Sequence, residues 1–390
     1  MDDLDDLIRE LEGPDAHDET SAEPTARVAS ARTRRPSAGS GRLDRWLALL
    51  QERRGSDLLL VAGVPACLRV DGRVAALGDV PLDGDEIEDA VLAVLPAHAE
   101  RQYRTEGIAD ASYRLSGVGR FRINLHHERG RAAAAIRALP TDVPRLASLN
   151  LPPGVEQLSR LTRGLVLIGG PTGSGKSTTL AALVDEINRR EARHIVTIED
   201  PIEYEHQHRQ SVVEQVEVGV DAPDFPTALR AALRQAPDVI VVGEMRDPET
   251  MHIALAAAET GHLVLSSVHT TDAASTVSRV ADSFPLERQN TIRQEMSMAL
   301  SAMLTQTLLP KLGGGRVPAA ELLMVSYGAR QHIRRNALQH LHQEITITRR
   351  QGSITLEESL ASLVRGGLVD YKEAQARAGH PEELERALGT

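Results

Sequence analysis

Residues 170–177 read Gly-Pro-Thr-Gly-Ser-Gly-Lys-Ser and fit the pattern G-x-x-x-x-G-K-[ST] throughout. No other feature of the chain limits its possible folds so tightly. The apolar run GLVLIGG ahead of it reads as a buried strand, and STTLAALVDEINRR after it as a helix. Between a strand and a helix, the glycines turn successive backbone N–H groups inward on a phosphate, and the helix N-terminus adds its partial positive charge. The expected nucleotide-binding residues are Gly170, Pro171, Thr172, Gly173, Ser174, Gly175, Lys176, Ser177 and Thr178. Lys176 is expected on the β- and γ-phosphates of ATP, and the Ser177 hydroxyl on Mg²⁺. Of the 44 basic residues only Lys176, Lys311 and Lys372 are lysines. A lysine in such a chain needs a reason, and a compact point charge between phosphates supplies one.

Hydrolysis needs more than a cradle: a water must be oriented and a metal held. HIVTIED (194–200) and DVIVVGE (238–244) are short apolar runs that end in acids. Strand ends in such a sheet face the ligand crevice. Glu244 is the first choice to polarise the attacking water. Gly243 stands where a metal-binding acid often precedes it, so Glu199 and Asp200 are expected to orient the metal, through waters. His262 and His269 flank the run LVLSSV. His269, followed by Thr270, Thr271 and Asp272, stands where a γ-phosphate sensor would help; a structural role is the alternative for it, and equally for His262. Nothing matches zinc-ligand spacing. Apolar runs alternating with helices predict an α/β fold with a largely parallel, doubly wound sheet.

Around this core the chain divides further. Residues 1–41 are expected to be a disordered tail, with Leu4, Leu7, Ile8 and Leu11 at helical spacing in an acidic start. Residues 42–140 read as a compact α+β domain. A helix is expected through Leu43, Trp46, Leu47 and Leu50, and another over 85–103. SDLLLVAG, ACLRVDGRVAAL, ADASYRL, GRFRINLHHERG and RAAAAIRAL are its expected strands. The proline-bearing stretch 141–160 is a linker, 161–325 the nucleotide-binding core and 326–390 a mainly helical end. A net charge of −11 and 2% aromatics disfavour nucleic acid as a partner. One cysteine, Cys67, excludes an intrachain disulfide or a four-cysteine metal site. No apolar run approaches the roughly 20 residues of a membrane span, and the acidic start is unlike a secretory signal; a cytoplasmic location is expected.

GGPTGSGKSTTLAAL, VTIEDPIEY, ALRQAPDVIVVGEMRDPET and AETGHLVLSSVHTTDAAST, in this order, resemble the Walker A, Asp box, Walker B and His box of the type II and type IV pilus secretion ATPases. The likeness is greatest to the type IV pilus retraction (twitching motility) branch of PilT- and PilU-like proteins, and covers residues 43–388. It implies ATP hydrolysis by a homohexameric ring with a RecA-like P-loop NTPase core and a PAS-like N-terminal domain. Such a ring would act at the cytoplasmic face of an inner-membrane pilus platform protein, in company with a paralogous retraction ATPase. GRFRINLHHERG resembles the segment from which a neighbouring subunit receives arginines. By that likeness Arg122 and Arg137 are the arginine fingers acting in trans, with Arg120 and Arg129 as competitors. Three departures stand out. Residues Gly328 to Arg335 keep only part of the branch's AIRNLIRE motif, Ala236 replaces an acid before Pro237-Asp238, and the N-terminal extension is long. The first leaves an accessory PilU-like or nucleotide-dependent regulatory subunit as the alternative function. A conjugation-type or nucleic-acid motor is a third reading, opposed by the acidic balance.

Overall fold

A computed structural model describes residues 40–389, and the expected acidic helix and all but the last two residues of the tail lie outside them. The first helix, α1 (Ser40–Glu52), buries Leu43, Leu47 and Leu50 completely. It packs on an antiparallel sheet built from β1 (Asp57–Val61), β2 (Cys67–Val70), β3 (Arg73–Ala76), β4 (Ile108–Leu115), β5 (Gly119–Glu128) and β6 (Arg131–Leu139), in the order β3-β2-β1-β6-β5-β4. The run ACLRVDGRVAAL is therefore two strands, not one. Its Asp71-Gly72 pair takes φ of 49° and 79°, the left-handed geometry that an Asp-Gly hairpin turn needs. The helix expected over 85–103 is also two, α2 (Gly84–Leu92) and α3 (Ala97–Glu106). Pro96 separates them, since proline has no N–H for the ladder and its ring crowds the preceding turn.

In β5, Phe121, Ile123 and Leu125 are buried in the core, while Arg120, Arg122 and Asn124 alternate onto the opposite face. That second face is polar and turns toward the rest of the chain.

The second sheet has seven strands in the order β13-β12-β7-β11-β10-β8-β9. They are β7 (Gly164–Gly169), β8 (His194–Glu199), β9 (Val212–Glu217), β10 (Val239–Val242), β11 (Leu263–Val268), β12 (Leu300–Pro310) and β13 (Arg316–Met324). All neighbours are parallel except the β12–β13 hairpin. The intervening helices are α4 (Lys176–Arg190), α5 (Phe225–Ala232), α6 (Pro248–Glu259), α7 (Ala273–Asp282) and α8 (Leu286–Ala299). Separate apolar clusters lie on the two faces, and every residue of β7, β10 and β11 is buried, as a sheet covered on both sides requires.

The stretch read as a linker is packed rather than loose: Leu146, Val155 and Leu158 are buried against α4 and the sheet. Five helices complete the chain: α9 (Tyr327–Arg334), α10 (Leu341–Ile347), α11 (Leu356–Arg365), α12 (Tyr371–Gln375) and α13 (Pro381–Leu388). In the parallel sheet, the carboxyl ends of β7, β8, β10 and β11 share one edge, and the loops that leave them build the site.

Candidate active site

The loop from β7 to α4 is shaped by glycine where nothing else fits. Gly170 has φ 148°, and a Cβ there would collide with Ser174 Oγ and the Gln306 carbonyl; Gly175, at the N-cap of α4, has φ 93°. Lys176 Nζ donates to the carbonyls of Gly170 (2.9 Å) and Pro171 (3.1 Å), so the ammonium lies along the inside of the loop. Burial lowers its pKa, and Glu244 and Glu203 pull the other way. Ser174 Oγ is buried without a hydrogen-bond partner in the same loop. A turn held open by glycine, with an unpaired hydroxyl, an ammonium and a helix N-terminus, fits a polyphosphate. Ser177, exposed at the start of α4, and the acids Glu199 and Asp200 line the same cavity, which suits oxygen ligation of Mg²⁺. Among the described residues no group of three or more His, Cys, Asp or Glu side chains could hold a metal on its own.

Gln306 props the loop from β12. Its Nε2 donates to the Ser174 carbonyl (2.7 Å), and its Oε1 accepts from Thr179 Oγ1 (2.9 Å). Thr178 Oγ1 meets Tyr204 Oη at 2.9 Å.

Glu244 leaves the tip of β10 and is held at both oxygens. His269 Nε2 lies 2.9 Å from Oε1, and Arg246 Nη2 donates to Oε2 at 2.8 Å. Partial burial pushes this carboxyl up, but the Arg246 guanidinium, His269 and Lys176 outweigh it and hold its pKa below the ordinary value. Glu199 differs. Burial pushes it up, against donors from Thr197 Oγ1 (2.7 Å) and Gln215 Nε2 (3.1 Å) to its Oε1. Of the two acids, Glu244 is the one whose neighbours shift it toward the charged form.

Arg122 and Arg137 line this cavity, of about 300 Å³, together with Lys176, Glu199, Glu244 and His269. They are directly paired across β5 and β6. Two guanidinium groups opposite one another repel, and each has one acid partner: Arg122 with Asp110 at 3.4 Å, Arg137 with Asp57 at 3.0 Å. Both line the cavity of their own chain, whereas the resemblance implied a role in a neighbouring subunit's site. The competitors go elsewhere. Arg120 pairs with Glu205 and Glu217, and Arg129 sits at the β5–β6 turn beside Glu128. His262 is not brought to the site. It precedes β11, at the opposite edge of the sheet, where its Nδ1 lies 3.0 Å from the Ala257 carbonyl. Sequence reasoning missed Arg246, Gln306 and Tyr204. Arg246 had a visible signal, two residues after Glu244 in GEMRD; the other two approach the loop only through the fold.

The model of the type II/IV secretion system protein family matches residues 150–356. The chain is 40% identical over 338 residues to the type IV pilus retraction ATPase PilT of Pseudomonas aeruginosa, covering 87% of this chain and 98% of that protein. It is 37% identical over 342 residues to the type IV pilus ATPase PilU of the same organism, covering 87% and 90%. A crystal structure of the pilus retraction motor PilT with bound ADP superimposes with a TM-score of 0.79 at 43% identity, over 87% of this chain and 98% of that one. Likeness of this extent includes both sheets, so the α/β fold is the RecA-like P-loop architecture preceded by an α+β domain. The chain belongs to the type II/IV secretion system protein family.

Proposed function

We propose that this protein is a Mg²⁺-dependent ATPase that works as a hexameric motor of type IV pilus retraction, on the cytoplasmic face of the inner membrane, against a pilus platform protein. The observation that carries the chemistry is Glu244. It is an ionised carboxylate at a strand tip, oriented by His269 and Arg246, and shares one cavity with Lys176 and two arginines of the other sheet. The likeness to PilT, a named retraction ATPase, supports the mechanical assignment.

In this mechanism the loop N–H groups and Lys176 hold the β- and γ-phosphates. Glu244 orients the attacking water and accepts its proton, and His269 keeps the carboxylate turned to that position. Arg122 and Arg137 meet the charge that develops on the transferred phosphoryl group. Ser177, with Glu199 and Asp200 through waters, would hold Mg²⁺, whose chemistry when bound would be to neutralise phosphate charge.

Purified protein should hydrolyse ATP, Lys176→Ala should lose nucleotide binding, and Glu244→Gln should bind ATP yet turn over about a thousandfold more slowly. Turnover by Glu244→Gln at the wild-type rate sinks the mechanism. Deleting the gene should leave cells with excess, non-retracting pili; loss of all pili would point to assembly instead.

The accessory reading draws on the partial AIRNLIRE motif on α9, where Arg330 is committed to the carbonyls of Ser297 (2.6 Å) and Met298 (2.7 Å). It predicts that Glu244→Gln still supports twitching when a paralogous ATPase is present.

A further inference from the structure

The polar face of the antiparallel sheet carries a second like-charged pair beside Arg122–Arg137. Arg114 of β4 stands directly opposite Arg120 of β5. Here the compensating acids come from the parallel-sheet side. Glu205 pairs with Arg114, and its carboxylate lies 3.2 Å from Arg120 Nε. Glu217, at the end of β9, lies 3.8 Å from Arg120 Nη2 and accepts from Ser112 Oγ at 2.6 Å. Arg120 is 8% exposed and Glu217 6%. Removing one partner of a buried charge pair strands the other in a poorly solvated place.

What this clasp holds is the loop after β8. Asp200, Glu203, Tyr204 and His206 line the nucleotide cavity, and Glu205, between two of them, faces the arginines. The same loop is tied to Glu217 through the Ile202 N–H, 3.1 Å from Oε2. On the other side, Arg120 and Arg122 are two residues apart in one strand and share its polar face, so anchoring Arg120 anchors the strand from which Arg122 projects.

We propose that Arg120 is a positioning residue: by gripping Glu205 and Glu217 it holds the antiparallel sheet over the 200–206 loop, so that Arg122 and the loop acids meet around one phosphate. The clasp acts through Arg122 rather than on the nucleotide. It also must part before the two sheets can separate, which couples product release to it. The inference rests on the ATPase reading above.

The test uses the full-length protein, with ATP turnover and release of a fluorescent ADP analogue as readouts. Arg120→Gln should lower kcat about tenfold and speed ADP release by a similar factor. In an Arg122→Gln background the same change should lower kcat less than about twofold, because the group it positions is already gone. Glu205→Gln, at a half-exposed position outside the cavity, keeps the proposal testable should Arg120→Gln not fold; it should speed ADP release about threefold. Wild-type kcat and ADP release in folded Arg120→Gln, or effects of positions 120 and 122 that multiply, would overturn the proposal while leaving the ATPase reading intact. Wild-type turnover by Arg122→Gln would also overturn the proposal, whereas absence of ATP turnover in the wild-type protein would overturn the ATPase reading itself.

Discussion

The two sheets carry chemistry in different places. The parallel sheet is covered on both faces, so its functional groups can only stand at the strand ends: the 170–177 loop after β7, Glu199 on β8, Glu244 after β10 and His269 after β11. The antiparallel sheet packs one face on its own core and leaves the other polar, so Arg122 and Arg137 can project from mid-strand. One sheet supplies a rigid rim and the other a charged lid surface. A site assembled from both changes its charge balance when the two sheets move relative to one another, whereas a site confined to the rim would not.

The largest effect that bears on this contrast is loss of the lid charge. Arg122→Gln should reduce kcat about a hundredfold with a smaller change in nucleotide affinity, since an arginine on the transferring group acts mainly in the transition state. Because it also relieves repulsion between Arg122 and Arg137, the melting temperature should hold or rise slightly. A fall in affinity equal to the fall in kcat would show that the lid binds ground state and transition state alike, and would remove the distinction from the rim.

Within the parallel sheet, the two histidines give the next contrast. His269 follows β11 and touches Glu244; His262 precedes β11 and touches the end of α6. His269→Asn should slow turnover about tenfold by freeing the carboxylate. His262→Asn should leave kcat within about twofold and lower the melting temperature instead, as loss of a structural hydrogen bond does. Equal loss of turnover in both variants would break the argument that only the carboxyl edge is chemical.

Much of the rim was legible from residues alone, because each of its groups sits at the end of an apolar run whose length marks a strand. Glu199, Glu244 and His269 were found in that way. His262 was weighed equally as sensor and as structural residue, and its place at the amino end of β11, on the Ala257 carbonyl, favours the structural role. The arginines were legible only through resemblance: Arg120, Arg122 and Arg129 look alike in GRFRINLHHERG, and cross-strand pairing separates them. Strands β9, β12 and β13 went unread, the first two for different reasons. The first is a half-polar edge strand. The second continues from α8 through MSMALSAMLTQT without a glycine or proline to mark the change. Gln306 was hidden with it.

Arg246 sharpens the account of the rim itself. Its guanidinium is the main group holding the Glu244 carboxyl below its ordinary pKa, and removing it should let that pKa rise. A base with a higher pKa is protonated sooner on acidification. The acid limb of kcat/KM should therefore move to higher pH in Arg246→Ala, while the plateau changes less. An unmoved acid limb would mean that Glu244 is not the group that titrates there.

The smallest effect lies at the far edge of the parallel sheet. Ala236 precedes β10 with φ 52°, a left-handed conformation that costs an alanine roughly 1 kcal/mol. The geometry is held by its surroundings: the Gln235 carbonyl meets His194 Nδ1 at 3.1 Å, and Asp238 Oδ2 accepts from the His194 N–H at 2.8 Å. Asp and Asn tolerate the left-handed region through local hydrogen bonds that alanine cannot make. Ala236→Asn should raise the melting temperature by roughly 2 °C and leave kcat unchanged, because the amino ends of these strands hold the sheet and take no part in the reaction. A gain in stability accompanied by slower turnover would instead tie this edge to the rim about a strand's length away.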